Sequence, residues 1–248
     1  MDHDLEARLL QEIDALKRKV QLLEGHEKTP LPTYQYSRIR DRDLKQLFQI
    51  EQVLAGQRFD AWFQHPVQVD EATTTFLSEL LEDNTALIER YSEEDLKINF
   101  IAPLLKKVRF KSFEKQIREY YELPMTYATE RFVLNGTVDF VVSEGLLESK
   151  KPYFFIQEFK RSEEHGNPRP QLLAELISAV ELNGWQKIKG AYIIGASWHF
   201  VILEKIADST YQYALSPNFD STKLDDLCAI YKHLVTVKNE ILDMITSC

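Results

Sequence analysis

The apolar positions of the chain change their period near residue 125. Upstream, apolar residues recur every three or four positions, which is typical of helices. Downstream, the run TYATERFVLNGTVDFVVSEG reads as two strands around Asn135-Gly136, and Asn-Gly is the strongest short hairpin signal. We therefore expect helices first, followed by a hairpin that turns at Asn135-Gly136.

The first segment, residues 5–24, has the spacing of a coiled coil. Its apolar residues alternate 4-3-4-3, with β-branched residues at a and leucine at d, which favours a parallel two-stranded coil. An amphipathic helix packed on its own domain is the alternative. The residues concerned are Leu9, Ile13, Leu16, Val20 and Leu23. The pattern predicts a coiled-coil helix over 1–25 and a homodimer formed through 9–23.

Glycine and prolines then interrupt the helical pattern, and residues 26–34 are predicted to be a linker. Beyond it, helical spacing recurs over 38–55 and 71–90. We expect residues 35–90 to form a helical layer packed on the main domain, which covers 91–248.

The main domain is predicted to begin with a helix at Ser92. Serine is a favoured N-cap residue, and Asp95 stands three positions on. Pro103 predicts a kink or an early end of this helix. Its apolar face would consist of Leu96, Phe100, Leu104 and Ile101.

The rest of the chain alternates between strand and helix patterns. KPYFFIQEFKRS predicts a third strand, and QLLAELISAVELNG predicts a helix that opens at Pro170 and ends at Asn183-Gly184. Two strands paired across 195–197, an edge strand at YQYALSP and a closing helix over 222–246 follow. This order predicts a mixed α/β fold.

Composition narrows the class of protein. The chain has 248 residues, 44% hydrophobic and 28% charged, as in soluble globular proteins, and its apolar runs are too short to span a bilayer. Its N-terminus lacks the apolar segment of a secretory signal. Cys228 and Cys248 are too few for a disulfide framework or a zinc site. We expect a reduced, cytoplasmic setting without membrane contact.

The net charge of −9 excludes a general binder of polyanions, so a nucleic-acid role requires a local basic surface. One candidate is KKVRFKSFEKQIR, residues 106–118, although a solvated helix or loop face is an equally good interpretation. The candidate contacts to a phosphate backbone are Lys106, Lys107, Arg109, Lys111 and Arg161.

Three charged residues near the end of an apolar strand suggest chemistry. Glu158 and Lys160 are two apart, so they project from the same face of the strand. Asp139 lies in the preceding strand, and pairing of the two strands would bring the carboxylates together. Adjacent carboxylates repel each other unless a cation lies between them, and Mg²⁺ is the expected ion. A structural role for Asp139 and a simple Glu158–Lys160 ion pair are the alternatives.

Asp139 followed by Glu158-x-Lys160 resembles the motif of the PD-(D/E)XK nuclease superfamily. SEEDLKINFIAPLL, QLLAELISAVELNG and GAYIIGASWHFVIL resemble the core helix, the second helix and the strand pair of that fold. The resemblance covers about 92–240, to bacterial members without known function and, distantly, to the nuclease domain of type I restriction motor subunits. Val138 replaces the proline of the family motif. The resemblance implies a restriction-endonuclease-like mixed sheet flanked by helices.

The resemblance also implies roles for individual residues. Asp139, Glu158 and the backbone carbonyl of Phe159 would bind Mg²⁺ or Mn²⁺, and Lys160 would act on the attacking water. An acid of the first helix, Glu93 or else Glu94, would help to hold the ion or a water, and Gln171 would position a ligand or phosphate. A helix N-terminus favours acids in any case, and a glutamine in a first turn is often only solvated.

These expectations lead to two functions of different classes. The first is a dimeric, metal-dependent DNA endonuclease in a restriction or defence system, with one active site for each strand of a duplex. The second is a catalytically inactive nuclease-fold module that is recruited through its N-terminal coiled coil. An RNA nuclease is a third possibility.

Overall fold

The computed structural model describes residues 13–17, 19–20, 30–160 and 167–246. After residue 30 its helices are α1 Asp41–Leu47, α2 Asp60–Phe63, α3 Glu71–Asn84, α4 Glu93–Leu96, α5 Ala102–Val108, α6 Pro168–Asn183 and α7 Leu224–Thr246. Its strands are β1 Thr33–Gln35, β2 Gln49–Val53, β3 Ile117–Ala128, β4 Val133–Glu144, β5 Lys150–Lys160, β6 Lys187–Ile194, β7 Ser197–Ala207, β8 Thr210–Leu215 and β9 Phe219–Asp220. A π-helical turn, Lys97–Ile101, joins α4 to α5.

The strands described form one large mixed sheet in the order β1-β4-β5-β6-β7-β8-β2, with β3 added to β4 and β9 to β7. Strands β3, β4 and β5 are antiparallel, as are β6, β7 and β8. Strand β6 runs parallel to β5 because α6 provides the crossover between them. The predicted mixed α/β class is therefore confirmed.

Helices cover both faces of the sheet, and each face has its own apolar core. On one face, Phe155 and Phe200 pack with Leu104 of α5 and Leu234 of α7. On the other face, Ile156 packs against Leu172 and its neighbours in α6. Because β4 and β5 are buried on both sides, they read as nearly continuous apolar runs.

The hairpin turn lies earlier than predicted. The turn between β3 and β4 is at residues 129–132, where the Thr129 amide donates to the Phe132 carbonyl, and Asn135-Gly136 continues inside β4. Gly136 is needed for another reason. A Cβ added there would lie 3.0 Å from Cδ2 of Tyr36, which packs against the strand. The Asn-Gly signal therefore marks a close approach between elements and not a turn.

Residues 35–90 are not only a helical layer, and that prediction is wrong for 49–53. Those residues form β2, which pairs in parallel with β8 and ends the sheet, so β8 is not an edge strand. Residues 33–34 of the predicted linker belong to β1, which pairs with β4. In β2 only Ile50 and Val53 are half-buried. Their spacing of three residues is also that of one helix turn, so periodicity could not separate a strand from a helix here.

The other predicted elements agree well with the structure. Ser92 caps α4 and forms a capping box with Asp95. The helix does not stop at Pro103. Since proline has no amide hydrogen for the preceding turn, the backbone widens into the π-helical turn before it and continues to Val108. Helix α6 begins at Pro168, two residues before the predicted start, and Gly184 ends it in the left-handed conformation.

The N-terminal segment is described only in part. Residues 13–17 and 19–20 are helical, and the side chains of Ile13, Leu16 and Val20 are about half exposed. Leu9, Leu23 and residues 21–29 lie outside the described residues. Among the helices that are described, none combines the length and apolar character needed to cross a bilayer.

Candidate active site

The candidate site lies where β4 and β5 run side by side. Phe140 of β4 is the partner of Gln157 of β5, so the next positions in this register are Asp139 and Glu158. The Phe159 amide donates a 2.9 Å hydrogen bond to Oδ2 of Asp139. The two strands therefore pair as expected, and Asp139 is fixed against the backbone of the strand that carries Glu158.

Glu158 and Lys160 project together, as their spacing predicts. Nζ of Lys160 donates to Oε1 of Glu158 at 2.9 Å and to the Phe159 carbonyl at 3.0 Å. Glu158 is fully buried, and its Oε2 has no hydrogen-bond partner among the described residues. Burial and the nearby charge of Asp139 raise the pKa of Glu158 well above its usual value. This carboxyl group thus has one oxygen without a partner among the described residues, and its charged form is disfavoured.

Lys160 is held in its charged form. Burial alone would lower the pKa of its ammonium, but the charge of Glu158 and the hydrogen bond to it outweigh burial, and the pKa is raised. At neutral pH the group is therefore a hydrogen-bond donor and a positive charge. It is not a base that could accept a proton.

The acid from the first helix is Glu93. Its Oε1 lies 3.7 Å from Nζ of Lys160 and 3.4 Å from Nζ of Lys97, whereas Glu94 is exposed to solvent. Glu93 stands at the first position of α4, so the capping box at Ser92 sets the direction in which its side chain points. Of the two acids that the sequence left open, Glu93 is therefore the one that lies beside Lys160.

Lys97 is a second lysine of the cluster, which the sequence reasoning missed. Its Nζ lies 3.0 Å from Oδ1 of Asp139, 3.3 Å from Oε1 of Glu122 and 3.4 Å from Oε1 of Glu93. Burial disfavours its charge, but Asp139 and the other acids raise the pKa of Lys97 above its usual value. Its position four residues after Glu93 on the same helix was the available signal.

Glu122 was missed as well, and it has an unusual backbone. It lies inside β3 with φ at +49°, which costs a non-glycine residue about 1–3 kcal/mol. The register pairs Tyr121 with Phe140 and Leu123 with Val138, so the distortion at Glu122 lies opposite Asp139. The strand is therefore strained at the place where it delivers a carboxylate to Lys97.

Gln171 is linked to the cluster through a hydrogen bond to Glu175. Its Nε2 donates a 3.1 Å hydrogen bond to Oε1 of Glu175, one turn further along α6. Glu175 is fully buried, its Oε2 has no partner among the described residues, and burial together with Glu158 raises the pKa of its carboxyl group. An acid inside the apolar run LLAELISAV was the sequence signal for Glu175, and it was not recognised.

The predicted nucleic-acid contacts are not gathered at this cluster. Lys106 is nine residues beyond Lys97, about 14 Å along the helix axis, and Arg109 and Lys111 follow at the far end. Lys107 packs its ammonium over the ring of Phe76 at 5.3 Å. The remaining predicted contact, Arg161, lies outside the described residues.

Acids outnumber lysines in the cluster, which fits hard cations better than bare polyanions. Within the described ranges, no group of three or more histidine, cysteine, aspartate or glutamate side chains is arranged so that it could hold a metal ion. Ammonium groups approach Asp139 and Glu158 instead. Oε2 of Glu158, which is buried without a partner among the described residues, is an oxygen donor of the type that Mg²⁺ prefers.

Comparison with known proteins does not assign this site. A scan against models of protein families found no match to the chain, and a search of curated proteins found no match either. The chemistry proposed below is therefore based on the contacts of Asp139, Glu158, Lys160 and Glu93 and on the motif resemblance.

Proposed function

We propose that the protein is a metal-dependent DNA endonuclease that hydrolyses phosphodiester bonds. The observation that carries the proposal is the meeting of Asp139, Glu158 and Lys160 at neighbouring β elements, with a buried, unpartnered oxygen on Glu158. Two acids and an amine in this arrangement suit hydrolysis at a phosphate with the help of a divalent ion.

The metal ligands would be Asp139, Glu158 and the carbonyl of Phe159, with Glu93 in support. The bound Mg²⁺ or Mn²⁺ would supply positive charge to the phosphate oxygens. Relief of the repulsion between the two buried carboxylates would favour the ion.

The residues of the chain have separate tasks in this proposal. Lys160 donates hydrogen bonds and carries positive charge, so it would orient the attacking water and stabilise charge that develops on the phosphate. Glu93, 3.7 Å away, keeps the Lys160 ammonium directed to the site. Gln171 holds Glu175 and would act as a positioning residue for that buried carboxyl group, not as a contact to phosphate.

The order of elements supports a restriction-endonuclease-like fold. A helix (α4 and α5) precedes three antiparallel strands, and α6 then crosses over to β6, which lies parallel to β5. The proposed catalytic residues lie on the first helix, the second and third strands and the crossover helix. This is the distribution that the motif resemblance implies.

The proposal includes a parallel dimer through residues 9–23. Support comes from the described part of this segment, where Ile13, Leu16 and Val20 expose apolar surface on a helix. Two copies would place two sites on one duplex.

An inactive interaction module is the second candidate function. The observation that favours it is the internal neutralisation of the cluster, since Lys97 and Lys160 already pair with Asp139 and Glu158. The net charge of −9 and the distance of the basic segment from the cluster favour it too.

The two functions are separated by incubating supercoiled plasmid or a structured RNA with the full chain and Mg²⁺ or Mn²⁺. We expect nicking of the plasmid by the wild type and a loss of at least about 100-fold in Asp139→Asn and Lys160→Met. Glu130→Gln, an exposed acid in the β3–β4 turn, is the matched control and should cleave normally. Cleavage that survives in Asp139→Asn would contradict the proposal. Absence of cleavage together with absence of Mn²⁺ binding would favour the inactive module.

A further inference from the structure

We propose that Lys97 is a built-in cation that competes with the divalent ion for Asp139 and must leave that carboxylate when the ion binds. This inference rests on the metal site of the proposed function and adds to it a residue that the motif resemblance does not include. In this proposal Lys97 is a positioning residue that acts through Asp139 and sets the affinity of the site for the metal ion.

One carboxylate oxygen of Asp139 accepts a backbone hydrogen bond, and the other accepts a hydrogen bond from Lys97. Oδ2 accepts the Phe159 amide at 2.9 Å, which fixes the plane of the carboxylate. Oδ1 accepts Nζ of Lys97 at 3.0 Å. Asp139 would help to hold the divalent ion, and the ion and the Lys97 ammonium would repel each other at this carboxylate.

A second observation is the incomplete hydrogen bonding of Glu158. Glu158 is fully buried and presents Oε2 without a partner among the described residues, even though Lys160 satisfies Oε1. Lys97 makes no contact with Glu158 within salt-bridge distance. It therefore neutralises one of the two carboxylates and leaves the other incompletely satisfied.

The cluster also contains other acidic partners for Lys97. Glu93 and Glu122 lie 3.4 and 3.3 Å from its Nζ, and both are more exposed than Asp139. Glu122 contacts Lys97 from the strained position inside β3. Lys97 can leave Asp139 and keep two acidic partners, so its displacement does not require loss of its charge.

The test is a titration of the full chain with Mn²⁺, in which electron paramagnetic resonance measures the concentration of free Mn²⁺. Lys97→Met removes the competitor, and we expect Mn²⁺ to bind at least about tenfold more tightly than to the wild type. Lys97→Arg keeps the charge and should bind no more tightly than the wild type. Lys45→Met removes an equal charge from an exposed position of α1 and should stay within about twofold.

A second measurement guards against misfolding of Lys97→Met. Melting temperatures in EDTA and in Mn²⁺ should show a larger Mn²⁺-dependent increase for Lys97→Met than for the wild type, because Asp139 then has no ammonium partner with which the ion must compete. If Lys97→Met does not fold in EDTA, Lys97→Met/Glu122→Gln removes one charge of each sign and is titrated in its place, with the same expected gain.

The outcomes separate this inference from the nuclease proposal. Equal Mn²⁺ affinity in wild type and Lys97→Met would overturn the role of Lys97 and leave the metal site standing. No Mn²⁺ binding in any variant would overturn both the inference and the metal site. Tighter binding in Lys97→Met without cleavage of DNA or RNA would support the inference and reject the nuclease.

Discussion

The two long helices cover opposite faces of the sheet and differ in how far their polar residues are buried. In α7 most buried positions are apolar ones such as Leu227, Ile230 and Leu234, and every charged residue is at least partly exposed. In α6 every side chain from Pro170 to Val180 is buried, including Gln171 and Glu175. The first pattern belongs to a helix that supports the fold. The second places polar groups where only a partner inside the protein can satisfy them.

The difference follows from how the helices are covered. Helix α6 lies between the sheet and the segment around Tyr36, whose hydroxyl donates to Oγ of Ser178 at 2.9 Å. Helix α7 instead contacts α2, α3 and α5 beside it, and its charged side chains stay at least partly exposed. A buried acid such as Glu175 therefore arises on α6, close to the candidate site.

The largest expected effect tests whether both helices support the fold equally. Leu176→Ala in α6 and Leu234→Ala in α7 each open a cavity in a fully buried position. Each should lower the free energy of unfolding by about 3–4 kcal/mol, measured by urea denaturation. A loss below about 1 kcal/mol at either site would mean that this helix is not part of the cooperative core.

A smaller effect concerns His233, a buried polar residue of α7. Burial, and then the charge of Lys232, lowers the pKa of His233 to about 4, and its ring stacks on Phe63. Because the unfolded chain binds this proton more readily, protonation of His233 favours unfolding. The contribution of neutral His233 to the free energy of unfolding is therefore complete above about pH 6.5 and is lost as pH falls toward 4. The loss should reach about 3 kcal/mol.

His233→Phe is the variant for this test. It should remove this part of the pH dependence in urea titrations between pH 4 and 7. A wild type and variant with parallel pH profiles would show that His233 does not titrate in this range.

The smallest effect distinguishes the acid of α6 from an exposed acid of α7. The pKa of Glu175 is raised on folding, so its stabilising contribution exists below the unfolded pKa and is lost as pH rises through the folded value. Glu175→Gln should therefore become more stable than the wild type as pH increases, by up to about 2 kcal/mol. Thermal unfolding from pH 5 to 9 measures the difference.

Asp225→Asn in the first turn of α7 is the control for this series. Asp225 is exposed, so the variant should show no increasing advantage with pH. The same slope for both variants would mean that Glu175 does not ionise in a buried environment.

Local patterns predicted much of the second half of the chain. The two-residue spacing of Glu158 and Lys160 was enough to put both groups on one face, and Ser92 was enough to start α4. These predictions succeeded because a strand and a helix cap are determined by neighbouring residues. Asn135-Gly136 failed because the contact that matters there is with Tyr36, about 100 residues away in sequence.

Residues of the candidate site were found or missed for the same reason. Asp139 was found because the pairing of adjacent strands could be anticipated. Lys97, Glu122 and Glu175 were missed because the rotation of a helix and a backbone distortion bring them to the cluster. Nothing in the local pattern of β3 signals that Glu122 adopts a positive φ.

The sequence by itself determined the alternation of helices and strands, the mixed α/β class and the common face of Glu158 and Lys160, because these depend on periods of two and 3.6 residues. Only the tertiary structure decided that β1 and β2 join the same sheet, that Glu93 and not Glu94 meets Lys160, and that Lys97 stands at Asp139. Those outcomes depend on packing between distant segments, and packing is a property of the whole chain.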